Sequence, residues 1–310
     1  MQLGLDNQGI LARMRQSILL RSKFKLVTNL KLTEVVEQAS HLTSLPEIYL
    51  QMQKVMDDPD HKREQLVDLI SYDTALSALL LRIVNSSYYA FPSQINRIST
   101  AVGVIGEKEL VNIVLATSMV NSNAKFDEIG INIDEFWLHS LQCGVVARMI
   151  GKIVGCNDAN NLFLCGVLHD IGILALYQDR PELSAEINAV VESSDMCRYQ
   201  VEYDRLGFDH SDVGEMLLTQ WKLPRLLTQV VGAHHQIDKS SDYLHEAKIV
   251  ALANSLGLNG RDFDAIPEED PDGRIIRLTE ALGIDPATLP HLCESMQLQG
   301  REIFTLIVSS

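Results

Sequence analysis

Apolar residues in this chain recur at helical spacing almost throughout, and no stretch sustains the period-two alternation of a half-buried strand. Leu76, Leu79, Leu80, Ile83 and Val84 fall at i, i+3, i+4, i+7 and i+8, which puts all five on one face of a helix. With no sheet to cover them, such faces must be buried against one another. The pattern therefore predicts an all-α protein, a helical bundle in two parts. Helices are expected over about 64–71, 74–84, 97–103 and 106–120. Ser44-Leu45-Pro46-Glu47 reads as a capping box with proline in the first turn, opening a further helix that Asp57 to Asp60 stops. Asp73 reads as a helix cap. Asn85, at the head of "NSSYYAFPSQ", reads as a helix stop in preference to a ligand contact.

The polar segment 121–134, "NSNAKFDEIGINID", separates the two parts, with Asp134 placed to cap the next helix. The expected organisation is a basic extension over 1–31, a first half over 32–125, a second over 126–255, and an acidic linker with a short helical tail over 256–310. At 310 residues and 46% hydrophobic content the chain has ample material for a core. Its longest apolar runs, such as "IVLATSMV", fall short of the roughly 20 residues that cross a bilayer, and no signal pattern follows Met1. Five cysteines without a C-x-x-C pair suggest neither a disulfide framework nor a zinc knuckle, so a cytoplasmic location is expected.

A net charge of -15 opposes a duplex nucleic acid as partner. The exception is local. Residues 1–31 hold Arg13, Arg15, Arg21, Lys23, Lys25 and Lys31 against Asp6, leaving -20 on the rest. This segment is read as a solvated helix on the acidic body, with a membrane or partner arm as the alternative.

The histidines carry the chemical signal. His139 shares a helix face with Cys143, Val146 and Ile150; His169 repeats this with Ile173 and Leu176; His210 lines up with Gly214, Leu217 and Trp221. His234 and His235 end a fourth apolar helix, and Asp170 follows His169 directly. One buried imidazole is most simply a hydrogen-bonded core residue. Five beside a carboxylate are costly to satisfy one at a time, since each unpaired group costs about 1–3 kcal/mol, so a shared metal or anion becomes the economical explanation. Imidazole and carboxylate donors suit first-row ions such as Fe, Mn, Zn or Ni, and an ion pair of this kind can activate water for phosphodiester attack.

The ordered set His139, His169-Asp170, His210, His234-His235 is similar to the HD superfamily of metal-dependent phosphohydrolases. The chain more closely resembles the HDOD family, the HD-related output domains of bacterial signalling proteins. The segments that carry the resemblance are "SLPEIYLQMQKVMDDPD", "LISYDTALSALLLRIVNSSYYAF", "AVGVIGEKELVNIVLATS", "FWLHS", "LCGVLHDIGILAL", "FDHSDVGEMLLTQWKLP" and "AHH", together covering roughly residues 32–255. The resemblance implies an HD-like second half and a regulatory module without efficient catalysis. Partners would be signalling proteins of a two-component or cyclic-dinucleotide pathway. It also implies the ligand set His139, His169, Asp170, His210, His234 and His235.

Three departures bear on turnover. Where HD hydrolases place a last carboxylate ligand, in "ALANSLG", this chain has Asn254, and where the cyclic-dinucleotide type has a lysine after H-D-I-G it has Ile173. The Gly-Tyr-Pro extension of that type is also missing. Losing one electrostatic donor commonly costs on the order of 100-fold in rate. The expected function is a cytoplasmic output protein with no catalytic residue assigned. The alternatives are a metal-dependent phosphohydrolase of a nucleotide or cyclic dinucleotide, and nucleic-acid binding through residues 1–31.

Overall fold

In a computed structural model of the chain, the structure describes residues 30–42, 45–121, 132–157, 159–193, 197–237, 241–258 and 273–309. Among them every regular element is helical and none is a strand. In chain order these are α1 (Leu32–Leu42), α2 (Glu47–Met56), α3 (Arg63–Ser71), α4 (Thr74–Val84), α5 (Ile98–Ile105), α6 (Glu107–Asn121), α7 (Ile133–Ile153) and α8 (Ala159–Leu168). Then follow α9 (Ile171–Asp179), α10 (Pro181–Ser193), α11 (Arg198–Leu206), α12 (His210–Gln220), α13 (Arg225–Ala233), α14 (Leu244–Leu258), α15 (Arg274–Ala281) and α16 (Leu289–Val308). Most of the basic extension, the inter-half segment 122–131, Ser44 of the expected capping box, and linker residues 259–272 lie outside the described residues.

Local chemistry sets the boundaries. The Asp73 carboxylate accepts from the Leu76 N–H at 3.0 Å and so starts α4, whose stripe residues Leu79, Leu80, Ile83 and Val84 are buried. Asn85 ends it and also ties down the next loop: its amide donates to Leu81 O and Ile95 O at 2.7 Å each, and its carbonyl accepts from Ile95 N–H at 2.8 Å. The cap of α7 is Asn132, which accepts from Glu135 N–H, so the cap lies two residues before Asp134, the aspartate expected to supply it. Asn132 fits because an amide oxygen caps as well as a carboxylate does.

One buried core runs from Val35 on α1 to Ile307 on α16 and is continuous across both halves. Residues 159–179 have the length and hydropathy of a membrane span, with mean hydropathy 1.5, yet 89% of that window is buried inside the bundle. They are α8 and α9, its central helices. The tail is more extensive than the sequence suggests: α16 packs along α7 and touches α4 and α6. Its Glu302 accepts from Ser87 N–H at 3.1 Å and from the Ser87 hydroxyl, and Arg82 donates to Leu306 O at 3.1 Å.

A buried polar junction also joins the halves. Glu109 on α6, 1% exposed, accepts from the Tyr89 hydroxyl at 2.6 Å and lies 3.8 Å from Arg148 Nε on α7. Arg148 donates to Asn160 at 3.1 Å and stacks over the Tyr88 and Tyr89 rings, 4.4 and 5.0 Å from their centroids. Burial pushes the Glu109 carboxyl up, and Arg148 works against that rise.

Candidate metal centre

Two glycine crossings bring the histidine-bearing segments together. His139 and His210 lie on helices, whereas His169 and Asp170 form the turn between α8 and α9, off the helix face expected for His169, and His234 and His235 follow the end of α13. Where α7 meets α8, a Cβ on Gly166 would lie 2.5 Å from Gly144 Cα, so only glycine permits that approach. Where α9 meets α12, a Cβ on Gly172 would lie 2.0 Å from His210 O and 2.8 Å from Gly214 N. Both contacts are to backbone, which cannot rotate aside. The first crossing sets His139 beside His169, and the second sets His210 beside Asp170.

Asp170 occupies the N-cap position of α9 but makes no side-chain cap bond. Aspartate there ordinarily accepts from the first-turn N–H groups. Here the carboxylate faces the imidazoles instead. Its Oδ1 is 3.1 Å from His210 Nε2 and 3.6 Å from His234 Nε2; its Oδ2 is 3.1 Å from His169 Nε2 and 3.9 Å from His139 Nε2. His235 Nε2 is 2.8 Å from His210 Nε2. All six predicted residues thus meet around one carboxylate. Their donor atoms form two overlapping sets that share Asp170, one with His210, His234 and His235 and one with His139 and His169, each within 4.8 Å.

The hydrogen bonds behind the rings show what this volume accommodates. His169 Nδ1 is 2.7 Å from Gly166 O and His234 Nδ1 is 2.6 Å from Val231 O. A carbonyl only accepts, so each Nδ1 carries the hydrogen, and in the neutral ring Nε2 is a bare lone pair. Those lone pairs face the Asp170 oxygens, acceptor against acceptor. His169 Nε2, His234 Nε2 and Asp170 Oδ1 are buried and make no aligned hydrogen bond. Such an arrangement is stable only around protons or a cation, and nitrogen and oxygen donors oriented from behind fit a divalent transition-metal ion.

The proton balance agrees. Burial alone would depress His169 and His210, but neighbouring carboxylates outweigh it: Asp170 holds His169 well above its ordinary value, and Glu202 with Asp170 raises His210 to about 10. Burial would raise Asp170, yet the imidazoles, His169 foremost, hold it well below the carboxylate range. Burial lowers His139 to about 4 and His235 well below its usual value. A cation bound here would have to displace the protons on His169 and His210, so its affinity is expected to rise with pH from 6 to 8. Metal titrations at a series of pH values check that sign.

Asn254 reaches the cluster from α14, its Oδ1 3.2 Å from His139 Nε2. It contributes a neutral carbonyl at the rim. Ile173 is 8% exposed on α9 and packs as core, so no cation enters from that position.

Sequence reasoning missed Glu202. It sits on α11, 1% exposed, and its Oε2 accepts from His210 Nδ1 at 2.5 Å and from the His210 backbone N–H at 2.9 Å. Its position on one helix face with Leu206, four positions on, was legible, but not the packing against other elements that buries it. Tyr199, one turn earlier on α11, stacks on the His235 ring with centroids 4.4 Å apart.

Comparison with known proteins places this architecture. The chain is 23% identical over 222 residues to an uncharacterized protein of Treponema pallidum (strain Nichols); the match covers 71% of this chain and 43% of the relative, so the chain spans less than half of that protein's length. Among solved structures it is similar to a Shewanella amazonensis SB2B protein named for a proposed phosphohydrolase activity, with TM-score 0.71 at 24% identity, covering 88% of this chain and 97% of that one. It is also similar to a Marinobacter aquaeolei VT8 protein named for a proposed role in signal transduction, with TM-score 0.64 at 19% identity, covering 99% of this chain and 67% of that one. At these identities the structural likeness speaks for the fold. The HDOD domain model matches residues 42–237, more than half of the sequence, and the chain belongs to the HDOD family.

Proposed function

We propose that this chain is a cytoplasmic signal-transduction output protein that acts through protein or ligand contacts, and that its histidine cluster holds a divalent transition-metal ion without efficient turnover. The observation that carries the reading is the charge of the cluster. Five imidazoles surround a single carboxylate, Asp170, and the sixth flank is the neutral Asn254. That donor set suits a cation, but it supplies one formal negative charge and no positive group at Ile173 to meet a phosphate. The name of the Marinobacter relative supports the signalling half of the proposal.

Each residue then has a part. His139, His169, Asp170, His210, His234 and His235 would hold the ion, and a bound ion would supply Lewis acidity. Glu202 fixes the tautomer and orientation of His210 and raises its basicity. Glu202→Gln is expected to weaken metal affinity roughly 10- to 100-fold with the helical fold retained, as read by competition with a chromogenic chelator.

A second reading, a phosphohydrolase of a nucleotide or cyclic dinucleotide, is favoured by the convergence of all six predicted ligands and by the name of the Shewanella relative. Metal-loaded full-length protein separates the two. The proposal expects no hydrolysis of cyclic dinucleotides or nucleoside phosphates above the Asp170→Ala background. Turnover that Asp170→Ala abolishes would establish the second reading in its place.

A further inference from the structure

His234 and His235 stand where α13 has already ended. The helix stops at Ala233, and the Gln236 N–H to Ala233 O bond at 3.0 Å spans the pair. Helix ends leave carbonyls without intrahelical donors. The carbonyl of His234 is one of these, and it belongs to the peptide group that joins the two histidines. Its donor comes from 40 positions further along the chain: Arg274 Nη2, at 2.7 Å.

Arg274 is the first residue of α15. That helix is seated by Ile275, Leu278 and Thr279, all buried, and packs on α14, the helix that carries Asn254. The place of the guanidinium is therefore set by the core of the tail. This tail lies beyond residues 42–237, the span matched by the family model.

From this geometry we infer that Arg274 is a positioning residue for the metal centre: by pinning the peptide between His234 and His235, the C-terminal tail fixes both imidazoles and so sets the affinity for the ion. The inference rests on the metal-centre reading above. An arginine at a helix C-terminus also serves as a plain cap. A cap alone changes stability and leaves the affinity of each folded molecule unaltered, so the two roles separate by experiment.

The test uses the full chain, stripped with chelator and titrated with Zn²⁺ against a chromogenic chelator, for the wild type, Arg274→Ala and Arg274→Lys. Helical signal and melting temperature are recorded on the stripped proteins, and Co²⁺ spectra report the coordination geometry independently of stability. Arg274→Ala is expected to lose roughly 10- to 100-fold in affinity and to shift the Co²⁺ d–d bands. Arg274→Lys, whose ammonium still donates to the carbonyl, is expected to recover part of that loss. Equal affinities and identical Co²⁺ spectra in wild type and Arg274→Ala would overturn the inference and leave the metal centre standing. A wild type that binds under about one tenth of an equivalent would overturn both. If Arg274→Ala does not fold, Arg274→Gln takes its place with the same two outcomes.

Discussion

Gly172→Ala is expected to disrupt stability and metal affinity together. The added Cβ would fall 2.0 Å from His210 O and 2.8 Å from Gly214 N, so α9 and α12 must separate. Forcing one methyl group into a packed interface costs about 1–3 kcal/mol, and contacts to backbone put this site at the upper end. The separation also carries His210 away from Asp170 Oδ1, now at 3.1 Å. Denaturant unfolding should show a lower midpoint, and a chelator competition should show at least about a tenfold loss of affinity, since displacement of one oriented ligand acts like loss of its supporting partner. An unchanged midpoint with unchanged affinity would contradict the backbone contact as the cause of the site's geometry.

Arg148→Ala addresses the junction between the halves. Removing one partner of a buried pair commonly costs about 3–5 kcal/mol, because the other is left uncompensated. Glu109 is 1% exposed, and Arg148 also covers the Tyr88 and Tyr89 rings. The loss should depend on pH in a defined direction. Burial already raises the Glu109 carboxyl, and deleting the guanidinium raises it further. An acid whose folded-state value lies above its unfolded value destabilises the fold where it would ionise, and the penalty fades as pH falls through the folded-state value. Arg148→Ala should therefore be most defective at high pH and recover as pH falls through the raised folded-state value of Glu109. Adding Glu109→Gln should reduce the defect at pH 8. A defect independent of pH would mean that lost packing, with no contribution from charge, explains it.

How much of this was legible in the sequence follows from what each feature depends on. The α4 stripe, its Asp73 start and its Asn85 stop are local, and the expected span 74–84 matches Thr74–Val84. The inward face of His139 on α7 is local too, because 3.6-residue periodicity says which side of a helix a residue occupies. His169, by contrast, lies in the turn between α8 and α9, and the face expected for it with Ile173 and Leu176 does not form on one helix. What periodicity cannot say is which faces meet. Asn254 lies 115 positions from His139 and contacts it only because α14 packs on α7. Glu109, Arg148 and Glu202 read as surface charges by residue type, and their burial depends on partners contributed by other elements. Arg274 was hidden for the same reason, in a tail whose 20-residue α16 exceeds the short helical segment that its composition suggested.

These features bear on the proposal that the cluster around Asp170 is a cation site in a signalling protein. The direct measurement is the metal content of the full chain purified without chelator, repeated after stripping and reconstitution, beside Asp170→Ala. With a single carboxylate at the centre, the account predicts about one equivalent of a divalent transition metal, regained on reconstitution and lost in the variant. Less than about one tenth of an equivalent in the wild type, not recovered on reconstitution, would contradict it.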